Sequence, residues 1–188
     1  MKKVAKFIRV MTVAPFLALT LILILHFTKK AFSDGFVYLA LFTLVLLPIL
    51  AYPIQRKFHI IKGDMRASER KLAIIFSVFG YLLGFVISII FKVSSLDKIV
   101  YLTYLLSGLG IFFFTFVCHI NASGHMCGVA GPIAVLIYVF GLWYSLLTLF
   151  LIIVIWSSLI LKRHKIHELT IGSFIPIIAL ILAIIIIK

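Results

Sequence analysis

Acidic residues are scarce in this chain of 188 amino acids, which has five Asp and Glu against 18 Lys and Arg and a formal net charge of +13. Charged residues of both signs make up only 12% of the sequence, whereas hydrophobic residues make up 64% and the mean hydropathy is +1.29. So few polar side chains cannot cover a surface that faces water, which excludes a soluble globular protein. The sequence therefore predicts an integral membrane protein.

Patterns typical of metal sites and of nucleic-acid binding are also missing. The two cysteines, Cys118 and Cys127, have no CxxC or Cys/His zinc spacing, and we expect them to be small apolar residues near helix ends, with no metal bound. The basic residues form short clusters between apolar runs rather than one continuous face. This arrangement suits anionic lipid headgroups and phosphorylated ligands, so no nucleic-acid partner is expected.

Seven apolar runs approach the length of about 20 residues that a membrane-spanning helix needs. They comprise residues 8–28, 35–55, 71–92, 98–119, 124–142, 145–162 and 168–187. We predict an all-α, polytopic bundle of six or seven transmembrane helices that forms a single domain over residues 1–188. The first run has the basic start of a signal peptide but no small-x-small cleavage site after it, and we interpret it as a retained helix. The weakest boundary is Gly141–Ser145, which only interfacial aromatic residues mark.

Counting the spans places three polar segments at the same membrane surface. They are residues 56–70, Ser123–His125 and Lys162–Glu168. This surface would carry thirteen of the basic residues against five at the opposite one. The positive-inside rule then favours the cytoplasm for the face that carries the three segments.

Two of these segments contain residue types that phosphate chemistry requires. Ser123, Gly124 and His125 supply a hydroxyl, a backbone that a ligand can approach closely, and a titratable proton. The second segment contains His164 with Glu168 four residues later, a spacing of one helical turn. Two such segments on one face would make a site.

The Ser123–His125 segment resembles part of a known family. It matches the Ser-Gly-His core of the second motif of the type 2 phosphatidic acid phosphatase superfamily, with Ala122 in place of the usual proline. Lys62 and Arg70 resemble a looser form of the first motif, in which Lys71 replaces the proline. The resemblance covers residues from about 56 to 175, and all three motifs occur in the family's order.

The third motif of that family is a serine and an arginine, five residues, a histidine, three residues and an acid. Ser157, His164 and Glu168 fit this spacing, and Ser158 stands where the family has arginine. The resemblance implies metal-independent hydrolysis of a phosphomonoester or diphosphate through a phosphohistidine intermediate, with no cofactor. By position His164 would be the nucleophile, Glu168 would bind its other ring nitrogen, and His125 would protonate the leaving group.

The phosphate-binding residues follow from the same resemblance. They would be Lys62, Arg70, Ser123 and the Gly124 amide, with Arg66 or Arg163 in place of the missing arginine. Some of these residues also have a structural interpretation, because Ser123 is a suitable helix N-cap and Glu168 complements the dipole of the last helix.

The implied substrate is a phosphorylated lipid of a bacterial or archaeal cell membrane. Phosphatidate, a phosphatidylglycerophosphate and a polyprenyl phosphate or diphosphate all qualify, and the oligomeric state is left open. One alternative is a catalytically inactive relative that binds or moves phosphorylated lipids, which the serine at position 158 favours. A second is a membrane cytochrome with paired histidine ligands, although His119 and His125 are six residues apart and do not share a helix face.

Overall fold

Helices account for almost all of the regular structure in this protein. The computed structural model describes residues 1–33 and 35–188, and within these ranges the chain forms eight helices and no strand. They are α1 (Lys2–Met11), α2 (Ala14–Lys29), α3 (Gly35–Phe58), α4 (Met65–Ile90), α5 (Ser95–Val117), α6 (Gly124–Phe140), α7 (Leu142–Ile160) and α8 (Ile166–Ile187). In the same ranges five helices, α3, α4, α5, α7 and α8, are long and apolar enough to cross a membrane. The predicted all-α membrane fold is confirmed.

The first predicted span, 8–28, is not one straight helix. α1 and α2 meet at a bend of 44° and together are apolar enough to form a sixth, broken span. The Thr12 hydroxyl bonds to the Ile8 carbonyl at the end of α1, and Val13 is extended with φ −61° and ψ 137°. Pro15 follows in the first turn of α2, where its missing N–H leaves no helical hydrogen bond unmade. The bend brings the C-terminal end of α1 against the rest of the bundle.

α6 corresponds to the fifth predicted run and is an apolar helix of 17 residues, shorter than the five helices that are long enough to cross a membrane. It ends at Phe140, and the next residue, Gly141, has φ 94°, a conformation that favours glycine. α7 then begins at Leu142. The break between the fifth and sixth runs therefore exists, slightly earlier than the predicted position between 142 and 145.

α4 begins six residues before the predicted span of 71–92. Asp64 caps the helix, since its carboxylate accepts a hydrogen bond from the Ala67 amide at 3.0 Å. Residues 65–70 of the segment 56–70, which we expected to be a polar connection, are therefore helical. Arg66 and Arg70 consequently lie one turn apart on the same face of α4.

The centre of the bundle is formed by α5, α6 and α8. α8 packs against both α5 and α6, α4 packs against α3 and α5, and α2 packs against α6. Buried residues of five helices make the main hydrophobic cluster, which includes Ile22, Leu44, Tyr101, Val135 and Leu180. The outward faces are apolar as well, with exposed residues such as Phe79, Leu82, Ile152, Ile178 and Ile181. Exposed aliphatic and aromatic faces of this extent suit contact with lipid.

Gly172 of α8 sets the position of the connection that precedes α6. A Cβ atom at residue 172 would lie 2.5 Å from the backbone oxygen of Ser123, which is too close for any van der Waals contact. Only glycine lets α8 approach this backbone so closely. The same approach is needed for the hydrogen bond of 2.9 Å from the Ser123 amide to the Glu168 carbonyl.

We expect Gly172→Ala to lower the midpoint of thermal unfolding in detergent, because overpacking of this kind destabilises a protein by about 1–3 kcal/mol. Gly131→Ala is the matched control, since it also exchanges a glycine for alanine inside a helix but places its Cβ at an ordinary 3.5 Å from the Pro176 Cβ. Equal midpoints for the two variants would contradict the proposed role of Gly172.

Candidate functional site

Four connections of the chain meet at one end of the bundle. They are the bend between α1 and α2, the start of α4, the segment before α6 and the segment between α7 and α8, and residues from all four line one cavity of about 650 Å³. The three polar segments that we predicted at a common surface therefore all contribute residues to the lining of this cavity. Its polar lining includes His125, His164, Asn121, Tyr52, Arg9, Arg66, Arg70, Lys71, Lys162, Arg163, Asp64 and Glu69.

His164 and Glu168 form a hydrogen-bonded pair at the start of α8. The distance from His164 Nδ1 to Glu168 Oε2 is 2.8 Å, and both side chains are largely buried, with exposed fractions of 8% and 13%. The pair forms because α8 begins at Ile166, which places Glu168 in its first turn, where the carboxylate also accepts the Lys165 amide at 3.2 Å. The Nδ1 proton is donated to the carboxylate, so Nε2 is left with its lone pair.

The pKa of His164 is lower than the ordinary value of 6.5, first because burial disfavours the charged imidazolium. The guanidinium groups of Arg70 and Arg9 lower it further, whereas the hydrogen bond and the charge of Glu168 raise it. His164 is consequently a neutral imidazole at neutral pH. A neutral ring with a free Nε2 lone pair is the state that a nucleophile requires.

His125, in the first turn of α6, is held by Thr12 at the bend between α1 and α2. Thr12 donates its hydroxyl proton to the Ile8 carbonyl at 2.9 Å, so its oxygen accepts the Nε2 proton of His125, also at 2.9 Å. Within the described ranges Nδ1 of His125 makes no hydrogen bond. This nitrogen is available for proton exchange with a ligand in the cavity.

The segment before α6 is tied to two helices that also carry site residues. Arg70 of α4 donates a hydrogen bond from Nη2 to the Ala122 carbonyl at 2.7 Å. The Ser123 amide donates to the Glu168 carbonyl of α8 at 2.9 Å. These two bonds fix the backbone immediately before His125 relative to His164.

Positive charge dominates the cavity. Six Lys and Arg side chains line it, against two carboxylates, Asp64 and Glu69. Both carboxylates already have partners, because Asp64 caps α4 and Glu69 pairs with Arg56 at 2.5 Å. Such an excess of cations around a partly enclosed space favours an anionic ligand, and arginine in particular suits phosphate and carboxylate oxygens.

Most of the site residues predicted from the sequence come together here. His125, His164, Arg66, Arg70, Gly124 and Arg163 line the cavity, and Glu168 lies behind His164. Two predicted phosphate-binding residues do not line it. Lys62 is exposed in the connection before α4, and the fully buried Ser123 hydroxyl caps α6 by accepting the Met126 amide at 3.3 Å. The helix start needs that acceptor, so the structural interpretation of Ser123 is the one that its contacts support.

Arg9 lines the cavity and Thr12 holds His125, but neither was among the site residues predicted from the sequence. Arg9 lines the cavity and donates a hydrogen bond from Nη1 to Ser158 Oγ at 3.1 Å, across 149 positions of sequence. Its only signal in the sequence is membership of a basic N-terminal run, which is typical of membrane orientation. Thr12 has no distinguishing signal at all.

Among the described residues no three His, Cys, Asp or Glu side chains are grouped so that they could hold a metal ion. No family model, curated protein or solved structure matches the chain. The chemistry of the cavity is therefore what indicates a function.

The pKa of His164 should fall further in Glu168→Gln, because the variant removes the negative charge that favours the imidazolium form. Nitrogen-15 NMR of histidine-labelled protein measures this pKa, with His164→Asn to assign the signal. Glu69→Gln is the matched control, since it removes one carboxylate from the cavity lining without a contact to His164. An unchanged titration in Glu168→Gln would show that the pair does not form in solution.

Proposed function

We propose that this protein is a membrane phosphatase that hydrolyses the phosphomonoester or diphosphate of a lipid through a phosphohistidine at His164. The observation that supports it best is the His164–Glu168 pair at a cavity that also contains a second histidine and six cationic side chains. Each part has a separate task in phosphoryl transfer, which needs a nucleophile, a proton donor and fixed positive charge.

In the first step Nε2 of His164 attacks phosphorus, and the bond from phosphorus to the leaving oxygen breaks. The Nδ1–H of His164 stays on the ring and donates its hydrogen bond to Glu168, whose carboxylate stabilises the positive charge that develops there. His125 delivers a proton to the leaving oxygen, and a bound phosphate anion favours the imidazolium form that this requires. In the second step water attacks the phosphorus of the phosphohistidine while His125 takes a proton from that water. The bond from phosphorus to Nε2 breaks, its electron pair returns to His164, and inorganic phosphate leaves.

The cationic residues have the role of binding the non-bridging oxygens of the phosphoryl group. Arg66 and Arg70 lie on one face of α4, and Arg163 directly precedes His164. All three line the cavity, which makes them better candidates for this role than Lys62. The Gly124 amide at the start of α6 adds a backbone donor at the positive end of a helix dipole.

A lipid substrate is supported by the way the cavity continues into the bundle. Beyond its basic end it is lined by residues within the helices, among them Ile74, Gly108, Ile111 and Pro132. A molecule with a phosphate at one end and an apolar remainder matches both parts of this lining. The surrounding helices are long and apolar enough to cross a membrane, where such a substrate resides.

Wild-type protein in detergent should release inorganic phosphate from phosphatidate or from a polyprenyl phosphate in the presence of excess chelator. His164→Ala should reduce release to the background, because the nucleophile is lost. His125→Ala should slow it by about 10²–10⁴-fold, the usual contribution of general acid-base catalysis. The measurement is colorimetric phosphate release over time for the two lipids in parallel.

His167→Ala is the matched control, since His167 is exposed, does not line the cavity and lies next to Glu168 in sequence. Its rate should equal that of the wild type. Rates that are the same for wild type, His164→Ala and His125→Ala would eliminate the enzyme. Lipid binding without any release would favour the non-catalytic binding protein instead.

A further inference from the structure

Arg9 occupies a position that the other basic residues of the N-terminal helix do not share. Lys2, Lys3 and Lys6 are exposed, whereas Arg9 is half-buried and lines the cavity. α1 packs against α7, and the Arg9 guanidinium donates from Nη1 to the hydroxyl of Ser158 at 3.1 Å. This contact brings a cation from the beginning of the chain to the helix that leads into His164.

The end of α1 is fixed at the cavity by two further contacts. Thr12, three residues after Arg9 and on the same face of the chain, accepts the Nε2 proton of His125. Ala14 lies against Gly128 of α6, where a Cβ atom in place of the glycine hydrogen would overlap the Ala14 side chain. Arg9 is therefore held close to a part of the chain that is packed and hydrogen-bonded against α6.

The charge of Arg9 has no compensating carboxylate. Among the described residues Arg9 forms no ion pair, and its hydrogen-bond partner is a neutral hydroxyl. The same cavity contains Arg66 and Arg70, so like charges surround it. A half-buried guanidinium in this environment is unfavourable unless an anion occupies the cavity, and its planar donors suit two phosphate oxygens at once.

Ser158 is small and fully buried, and it stands at the place where the resemblance expects an arginine. Its short side chain leaves room for a guanidinium that arrives from another helix. We propose that Arg9 is a phosphate-binding residue of this cavity, supplied by α1 in place of an arginine at position 158. The inference rests on the proposed function for its substrate, a phosphorylated lipid.

The test compares Arg9→Gln, Arg9→Lys, Arg9→Ala and a double variant that combines Arg9→Ala and Ser158→Arg. Glutamine retains a donor for Ser158 but has no charge, so kcat/KM for phosphorylated lipid should fall by about 10- to 100-fold, as expected for a lost charge-assisted hydrogen bond. Arg9→Lys should recover part of the lost kcat/KM, because lysine restores the positive charge but not the planar pair of N–H donors. The double variant should have a higher kcat/KM than the single variant Arg9→Ala, since it returns a guanidinium to the same place.

Lys6→Ala is the control, because it removes a neighbouring positive charge of α1 that is exposed and does not line the cavity. It should leave kcat/KM unchanged. Thermal unfolding of every variant identifies a loss that comes from misfolding. An Arg9→Gln variant with the wild-type midpoint and the wild-type kcat/KM would overturn the inference.

A second measurement separates this inference from the proposed enzyme. Inorganic phosphate should raise the unfolding midpoint of the wild type relative to chloride of equal ionic strength, and Arg9→Gln should lose this shift. If the wild type hydrolyses no lipid but shows a shift that Arg9→Gln lacks, the phosphate-binding role of Arg9 stands and the catalytic function fails. A shift of the same size in both proteins would overturn the role of Arg9 whatever the activity.

Discussion

Glu168 accepts hydrogen bonds from both histidine-bearing parts of the candidate site, and the arrangement of the site depends on this. Its carboxylate binds Nδ1 of His164 at 2.8 Å, and its backbone carbonyl binds the Ser123 amide at 2.9 Å, two residues before His125. Both bonds require α8 to begin at Ile166, so that Glu168 falls in the first turn. The orientation of one histidine and the position of the other are thus set by a single residue at a helix start.

The carboxylates that the structure describes around the cavity leave it positively charged. Of the carboxylates that the structure describes at this end, Asp64 caps α4, Glu69 pairs with Arg56 and Glu168 binds His164. None of them forms an ion pair with an arginine of the lining. Six of the thirteen basic residues assigned to this surface line the cavity. Nearly half of the basic residues that the predicted topology places at this surface therefore belong to the cavity.

The membrane fold and most residues of the candidate site could be predicted because their signals are local. Apolar runs locate the helices, and a spacing of four residues pairs His164 with Glu168. The bend at Thr12 and the early start of α4 were missed, since both depend on hydrogen bonds at helix ends that hydropathy does not report. Arg9 was missed for a different reason. Its contact with Ser158 spans 149 positions, and nothing in the N-terminal sequence distinguishes it from an orienting charge.

Small residues explain how polar groups from distant segments reach one place inside an apolar bundle. Gly172 admits the backbone of the segment before α6, Gly128 admits Ala14 at the bend, and the short side chain of Ser158 faces Arg9. In a membrane the hydrophobic effect does not drive helices together, so close backbone packing and interhelical hydrogen bonds must do so. At the two glycines a larger side chain would separate the elements that carry Glu168, His125 and Arg9. These small residues are therefore as much a part of the site as the charged residues that they bring together.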